Sequence, residues 1–87
     1  METGSASMIE RRRHLRIEVD EPARILIDSR ATIRCLVRNV SLGGACLELD
    51  PALPVPQTFD LIPQTSDAHV CRVVWRLRDR IGVAFQN

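Results

Sequence analysis

Apolar and polar residues alternate with a period of two through most of the chain beyond Pro22, and no stretch carries the three-to-four-residue spacing of an amphipathic helix. Successive side chains of a strand leave on opposite faces, so this alternation predicts half-buried β-strands. Six candidates follow. Ala23 to Ile27 ends at the turn Asp28-Ser29-Arg30. Thr32 to Asn39 sets Ile33, Cys35 and Val37 on one face against Arg34, Leu36 and Arg38 on the other. Ser41-Leu42-Gly43-Gly44 breaks the pattern before Ala45, Leu47 and Leu49 share one face of a third strand, and Pro51, Pro54 and Pro56 stiffen the loop behind it. Phe59 to Ile62 is a short fourth strand. His69 to Leu77 puts Cys71, Val73, Trp75 and Leu77 on one face with Arg72 and Arg76 on the other, which assigns Trp75 to the core. Arg78-Asp79 then turns into Ile81, Val83 and Phe85, making the last two strands a hairpin.

Six short strands separated by turn residues predict an all-β domain, a small antiparallel β-barrel or sandwich. The sequence runs two residues past Phe85, so closure is expected from strand pairing rather than from a plugging helix, or an open edge would pair with a second copy. At the other end, Met1 to Ser7 is small, polar and aperiodic, the composition of a disordered tail. Residues 1–9 are read as tail and 10–87 as one domain, with an arm over 10–21 and the barrel over 22–86. The arm begins charged, Glu10-Arg11-Arg12-Arg13-His14-Leu15-Arg16, and continues as Ile17-Glu18-Val19-Asp20, whose alternation suits an extended segment.

Composition narrows the picture. Eighty-seven residues allow one domain with a modest core, and a 45% hydrophobic share is enough to fold it. No apolar run nears the roughly 20 residues of a membrane helix, and the first ten residues lack the order of a signal peptide, so a cytoplasmic protein without membrane insertion is expected. A net charge of +1 creates no global field for duplex nucleic acid. All twelve basic residues are arginine, and Arg11, Arg12, Arg13 and Arg16 fall within six positions. Arginine grips phosphate with a planar two-pronged fork and stacks on flat rings, as lysine cannot. Cys35, Cys46 and Cys71 stand in strand patterns without a metal-ligand spacing and are read as buried, reduced thiols, and His14 and His69 are isolated. No paired carboxylates, nucleophile with its base, or phosphate loop appears, so no enzyme activity is expected.

Two local features remain. Arg12 and Arg16 form R-x-x-x-R in the arm, and Asn39, Ser41 and Gly44 form N-x-S-x-x-G in the turn between the second and third strands. Either alone is an ordinary solvated cluster or an ordinary turn. Together, in this order and ahead of I-G-V-A-F at Ile81 to Phe85, they resemble the PilZ family of domains over Glu10 to Phe85. The resemblance implies a six-stranded PilZ-type barrel with a flexible arginine-rich N-terminal arm, binding cyclic di-GMP and performing no catalysis. It implies a ligand site of Arg11, Arg12, Arg16, Asn39, Ser41 and Gly44, with no metal or cofactor.

The implied ligand can be weighed against these residues. Arg12 and Arg16 would take phosphate oxygens and the O6/N7 edge of guanine, Asn39 and Ser41 would bond the groups that frame the base, and Gly44 would admit the main chain closely. In the family, arginine immediately before the first motif, here Arg11, goes with binding a stacked dimer of the dinucleotide. Three charge-assisted arginine contacts contribute about 5 to 9 kcal/mol, while ordering a seven-residue arm costs about 7 to 14 kcal/mol. Purine stacking, worth ~1 to 3 kcal/mol per base, must supply the difference. The arm is therefore expected to be loose alone and clamped with ligand, presenting a new surface to an effector protein.

Two other functions compete. A nucleic-acid-binding barrel is disfavoured by an aromatic content of 3% with no tyrosine, too few stacking platforms for successive bases. A PilZ-like protein-interaction module that has lost its ligand would be expected to lack motif residues, and none is missing here.

Overall fold

The computed structural model of the chain describes residues 15–86. The expected six strands are all present: β1 (Ile17–Asp28), β2 (Ala31–Val40), β3 (Gly44–Glu48), β4 (Thr58–Pro63), β5 (His69–Leu77) and β6 (Arg80–Phe85). They form a closed antiparallel barrel in the order β1-β2-β3-β6-β5-β4, with β4 pairing back onto β1 through Ala23 to Leu26. Closure thus comes from strand pairing, as expected, although β1 before Ala23 and β5 after Arg72 lie beyond their pairing with β4.

The alternation read from the sequence is the packing of the barrel. Ala23 and Ile25 of β1, Ile33, Cys35 and Val37 of β2, Ala45 and Leu47 of β3, Phe59 and Leu61 of β4, Cys71 and Val73 of β5, and Ile81 and Val83 of β6 point inward and form one core. Leu49 and Val55, from the chain that follows β3, join it. Burying each large aliphatic among them stabilises the fold by roughly 1.5 to 3 kcal/mol. Asp28 accepts from the amides of Arg30 and Ala31 at 2.8 and 3.1 Å, the side-chain-to-backbone bonding by which aspartate sets a turn.

Two expectations are corrected. β1 starts at Ile17, so the segment read as the second half of the arm is already strand, with Ile17 opposite Val40 and Glu18 opposite Asn39. A register shift between Glu18 and Glu21 lets the strand keep pairing beyond Pro22. The second correction concerns β5. Its pairing with β6 slips between Val73 and Trp75, and this bulge reverses the face of everything after it. Trp75 and Leu77 lie outside, 44% and 65% exposed, and Arg76 instead turns to donate to the Val55 carbonyl at 3.0 Å. The slip is held by Gln57: Val73 N–H donates to the Gln57 carbonyl at 2.8 Å, and Gln57 Nε2 donates to the Val73 carbonyl at 2.6 Å.

Candidate functional site on the outer face of the barrel

The site begins where β1 and β2 meet at one end of the barrel. Asn39 is half-buried on the outer face, opposite Glu18 of β1 and Cys46 of β3. Arg16, immediately before β1, donates from its guanidinium to Asn39 Oδ1 at 2.6 Å across 23 residues of sequence. The last arginine of the first motif and the first residue of the second are thus brought into contact. Arg16 is otherwise exposed. Arg11 and Arg12 lie outside the described residues.

The turn that follows is built by its own backbone. Ser41 N–H donates to the Gly44 carbonyl at 2.8 Å, the Ser41 hydroxyl approaches the same oxygen at 3.4 Å, and Phe85 N–H donates to the Gly43 carbonyl at 2.9 Å. Leu42 projects from the tip, 85% exposed. Gly44 is buried, and a β-carbon there would collide with the backbone carbonyl of Val83. Close packing of β3 on β6 therefore requires a glycine at this position whatever the ligand.

Following register partners outward from Asn39 leads to a residue that sequence reasoning placed in the core. Asn39 is opposite Cys46, Cys46 opposite Gly82, and Gly82 opposite Trp75. This row crosses the outer face of four adjacent strands. A β-carbon on Gly82 would collide with the indole of Trp75, so the missing side chain lets the ring lie flat over β6 and reach one strand toward Asn39. The signal in the sequence was Val73-Val74-Trp75, three apolar residues in succession, which strict alternation cannot accommodate and a bulge can.

Charges around this row are mostly compensated. Arg38 meets Asp20 at 3.0 Å and Glu48 at 3.5 Å, and Arg80 meets Glu48 at 3.7 Å, forming an exposed ladder whose pairs contribute at most about 1 kcal/mol each. Glu21 accepts from the Thr65 hydroxyl at 2.8 Å and the Thr65 amide at 2.9 Å. These bonds hold its carboxyl below the usual carboxylate value and tie the β4–β5 loop to β1.

Among the described residues the barrel interior is filled by side chains and offers no room for a dinucleotide. A cavity at the barrel mouth, between Glu21, Val40, Ala45, His69 and Phe85, holds about 110 Å³, against the roughly 300 Å³ or more of ordinary ligand pockets. Its wall is closed by His69 stacked on Phe85 with ring centroids 4.5 Å apart. A molecule of that size could be held only on the outer face of the described barrel. The three cysteines are free and buried, as expected. Among the described residues no group of histidine, cysteine and carboxylate side chains is gathered to hold a metal ion, and no helix is long and apolar enough to cross a membrane.

The described residues form a closed six-stranded barrel that sets Arg16 and a short polar turn together on its outer face and keeps its interior packed, the architecture of a small all-β domain with its candidate site on the surface. Residues 10–87 match the sequence profile of the PilZ domain, and the chain belongs to that family, whose members serve generally as cyclic di-GMP receptors. No curated protein matches the chain.

Proposed function

We propose that this chain is a cytoplasmic cyclic di-GMP receptor whose N-terminal arm closes over the outer face of the barrel when the dinucleotide binds. The closed arm then forms the surface that an effector protein reads. The observation that carries this reading is the Arg16–Asn39 contact at 2.6 Å, which joins the two motifs at one place on the surface. In the liganded state Arg12 and Arg16 engage phosphate and the guanine edge, charge-assisted bonds of the stronger kind. Asn39 and Ser41 frame the base, and Gly44 keeps the turn low against β6. Arg11 would support a stacked dimer of the ligand, so two dinucleotides bind per chain. Trp75, on the same outer face, is suitably placed to stack on a purine at the far side of the site.

Isothermal titration with cyclic di-GMP, using GTP and a short single-stranded oligonucleotide as controls, tests the reading. Selective binding at micromolar affinity or tighter, about 8 kcal/mol or more, is the expected result. Binding of the oligonucleotide in its place, weakening steeply with salt, would replace the receptor with a nucleic-acid module.

A further inference from the structure

Arg24 of β1 and Arg34 of β2 are direct register partners, and both are exposed. Like charges set opposite each other on antiparallel strands, with β-carbons about 4.5 to 5.5 Å apart, destabilise the pair they form. Arg38 and Arg80 each find a carboxylate, whereas among the described residues neither Arg24 nor Arg34 meets one within ion-pair distance. The two arginines border a cleft of about 550 Å³ over β4, β1 and β2. Its remaining outer walls are Pro22, Ile62, Pro63 and Gln64. Ile62 is the register partner of Arg24 on the β4 side and is 38% exposed. The nearest acidic groups in register are Asp60, opposite Leu26 and Val70, and Glu48, opposite Leu36. Neither is opposite an arginine of this pair; Glu48 is engaged by Arg38 and Arg80, and with Asp50 and Asp79 it lines a separate cleft on the other side of Arg34. A surface with two forks that no carboxylate among the described residues pairs, beside an apolar floor, is matched to an anion with an apolar neighbour.

We propose that this cleft docks an extended acidic segment of a partner protein, with one carboxylate held between Arg24 and Arg34 and an adjacent apolar side chain resting on Ile62 and Pro63. At this cleft Ala23 to Leu26 of β1 are paired on both sides, with β2 and with β4, so an extended peptide cannot be captured there by addition of a strand to a sheet edge. Recognition must come from side chains on the outer face, and charge complementarity selects the acid. The proposal rests on the receptor reading only in supposing a protein partner. The cleft is spatially separate from Asn39: Arg34 lies five residues back along β2, roughly 17 Å of strand, so ligand and partner can be held together.

The test is an amide-shift titration of the isotope-labelled full chain with three probes: a peptide of alternating leucine and glutamate, the same peptide with lysine for glutamate, and inorganic phosphate. The acidic peptide alone is expected to shift the amides of Ala23, Arg24, Arg34 and Ile62. Arg24→Gln with Arg34→Gln should weaken it by at least about tenfold, and Arg24→Gln alone should give an intermediate loss. The double variant should melt at the same temperature or higher, since it relieves a like-charge pair. Shifts centred elsewhere, equal shifts from the lysine peptide, or undiminished affinity in the double variant would overturn the proposal. So would a response to phosphate without a response to peptide, which would mark a small-anion site, or a lowered melting temperature, which would mark a structural role. Cyclic di-GMP titrated into the same samples separates the two readings: peptide binding without dinucleotide binding defeats only the receptor, and the converse defeats only the cleft.

Discussion

Asn39 is held by two strands and one arginine at once. Its backbone pairs with Glu18 and Cys46, and its side-chain oxygen accepts from Arg16; in the receptor reading its amide N–H groups are what the ligand meets. The motif residues divide by what the fold itself asks of them. Gly44 is required by the Val83 carbonyl, a backbone atom that cannot move aside without displacing β6. Gly44→Ala is therefore expected to destabilise the barrel by about 1 to 3 kcal/mol, read as a lowered urea midpoint with ligand absent. Arg11 makes no such demand in the receptor reading. Arg11→Leu should leave the melting curve unchanged and lower calorimetric stoichiometry from two dinucleotides per chain toward one, and an unchanged stoichiometry would count against the stacked dimer. Motif order and the family resemblance named Arg16, Asn39 and Ser41 as candidates for one site, and the structure brings Arg16 and Asn39 into contact. What they did not disclose was that Arg16 bonds Asn39 directly, because a contact across 23 residues depends on the register of β1 with β2.

At the scale of the strand, parity decides what a side chain does. Five strands carry the alternation that was read from the sequence, and their inward residues are the core. In β5 the alternation is right through Val73 and wrong after it, since one extra residue at Val74 sends Trp75 outward. Hydrophobicity alone cannot locate such a slip: Val73, Val74 and Trp75 are all apolar, so one parity buries Val73 and Trp75, the other Val74, and neither puts a polar residue of the three inside. What fixes it is the loop residue Gln57, which pairs with both backbone groups of Val73. Gly82 provides a check on the consequence. A methyl group there meets the indole, a side chain that can rotate away, and not backbone as at Gly44. Gly82→Ala should therefore cost under about 1.5 kcal/mol while lifting Trp75 off β6, seen as a red shift of the single tryptophan's emission. An unshifted spectrum would place the indole elsewhere.

The whole molecule is a closed shell whose thiols lie against its interior or under its outer face. Burial pushes the Cys35 thiol from 9.0 up to about 12 and the Cys71 thiol up to about 11. Both are neutral in the folded barrel where the unfolded chain would ionise them. Stability from these groups is fully present below pH 9 and is lost as pH rises through about 9 to 12, because unfolding then releases protons that the barrel retains. The urea midpoint should fall measurably from pH 8.5 to pH 10.5, and a thiol reagent at pH 8 should label the protein only at the rate of unfolding. Rapid labelling of Cys35 or Cys71 in the native protein would contradict the packed interior. Fold class and strand count were legible because a small barrel repeats one rule six times. The start of β1 was not, since charged Glu18 and Asp20 read equally well as solvated arm and as the outer face of a strand.

In the receptor reading, recognition lies outside that packed shell, on the face shared by Arg16 and Asn39. The most direct test is calorimetric titration of cyclic di-GMP into the wild-type chain and into Arg16→Ala, with the melting curve of each recorded alongside. Binding to the wild type at micromolar affinity or tighter, lost by at least about tenfold in Arg16→Ala at an unchanged melting temperature, is the predicted result. Equal affinity in both proteins, or no binding by the wild type, would contradict it.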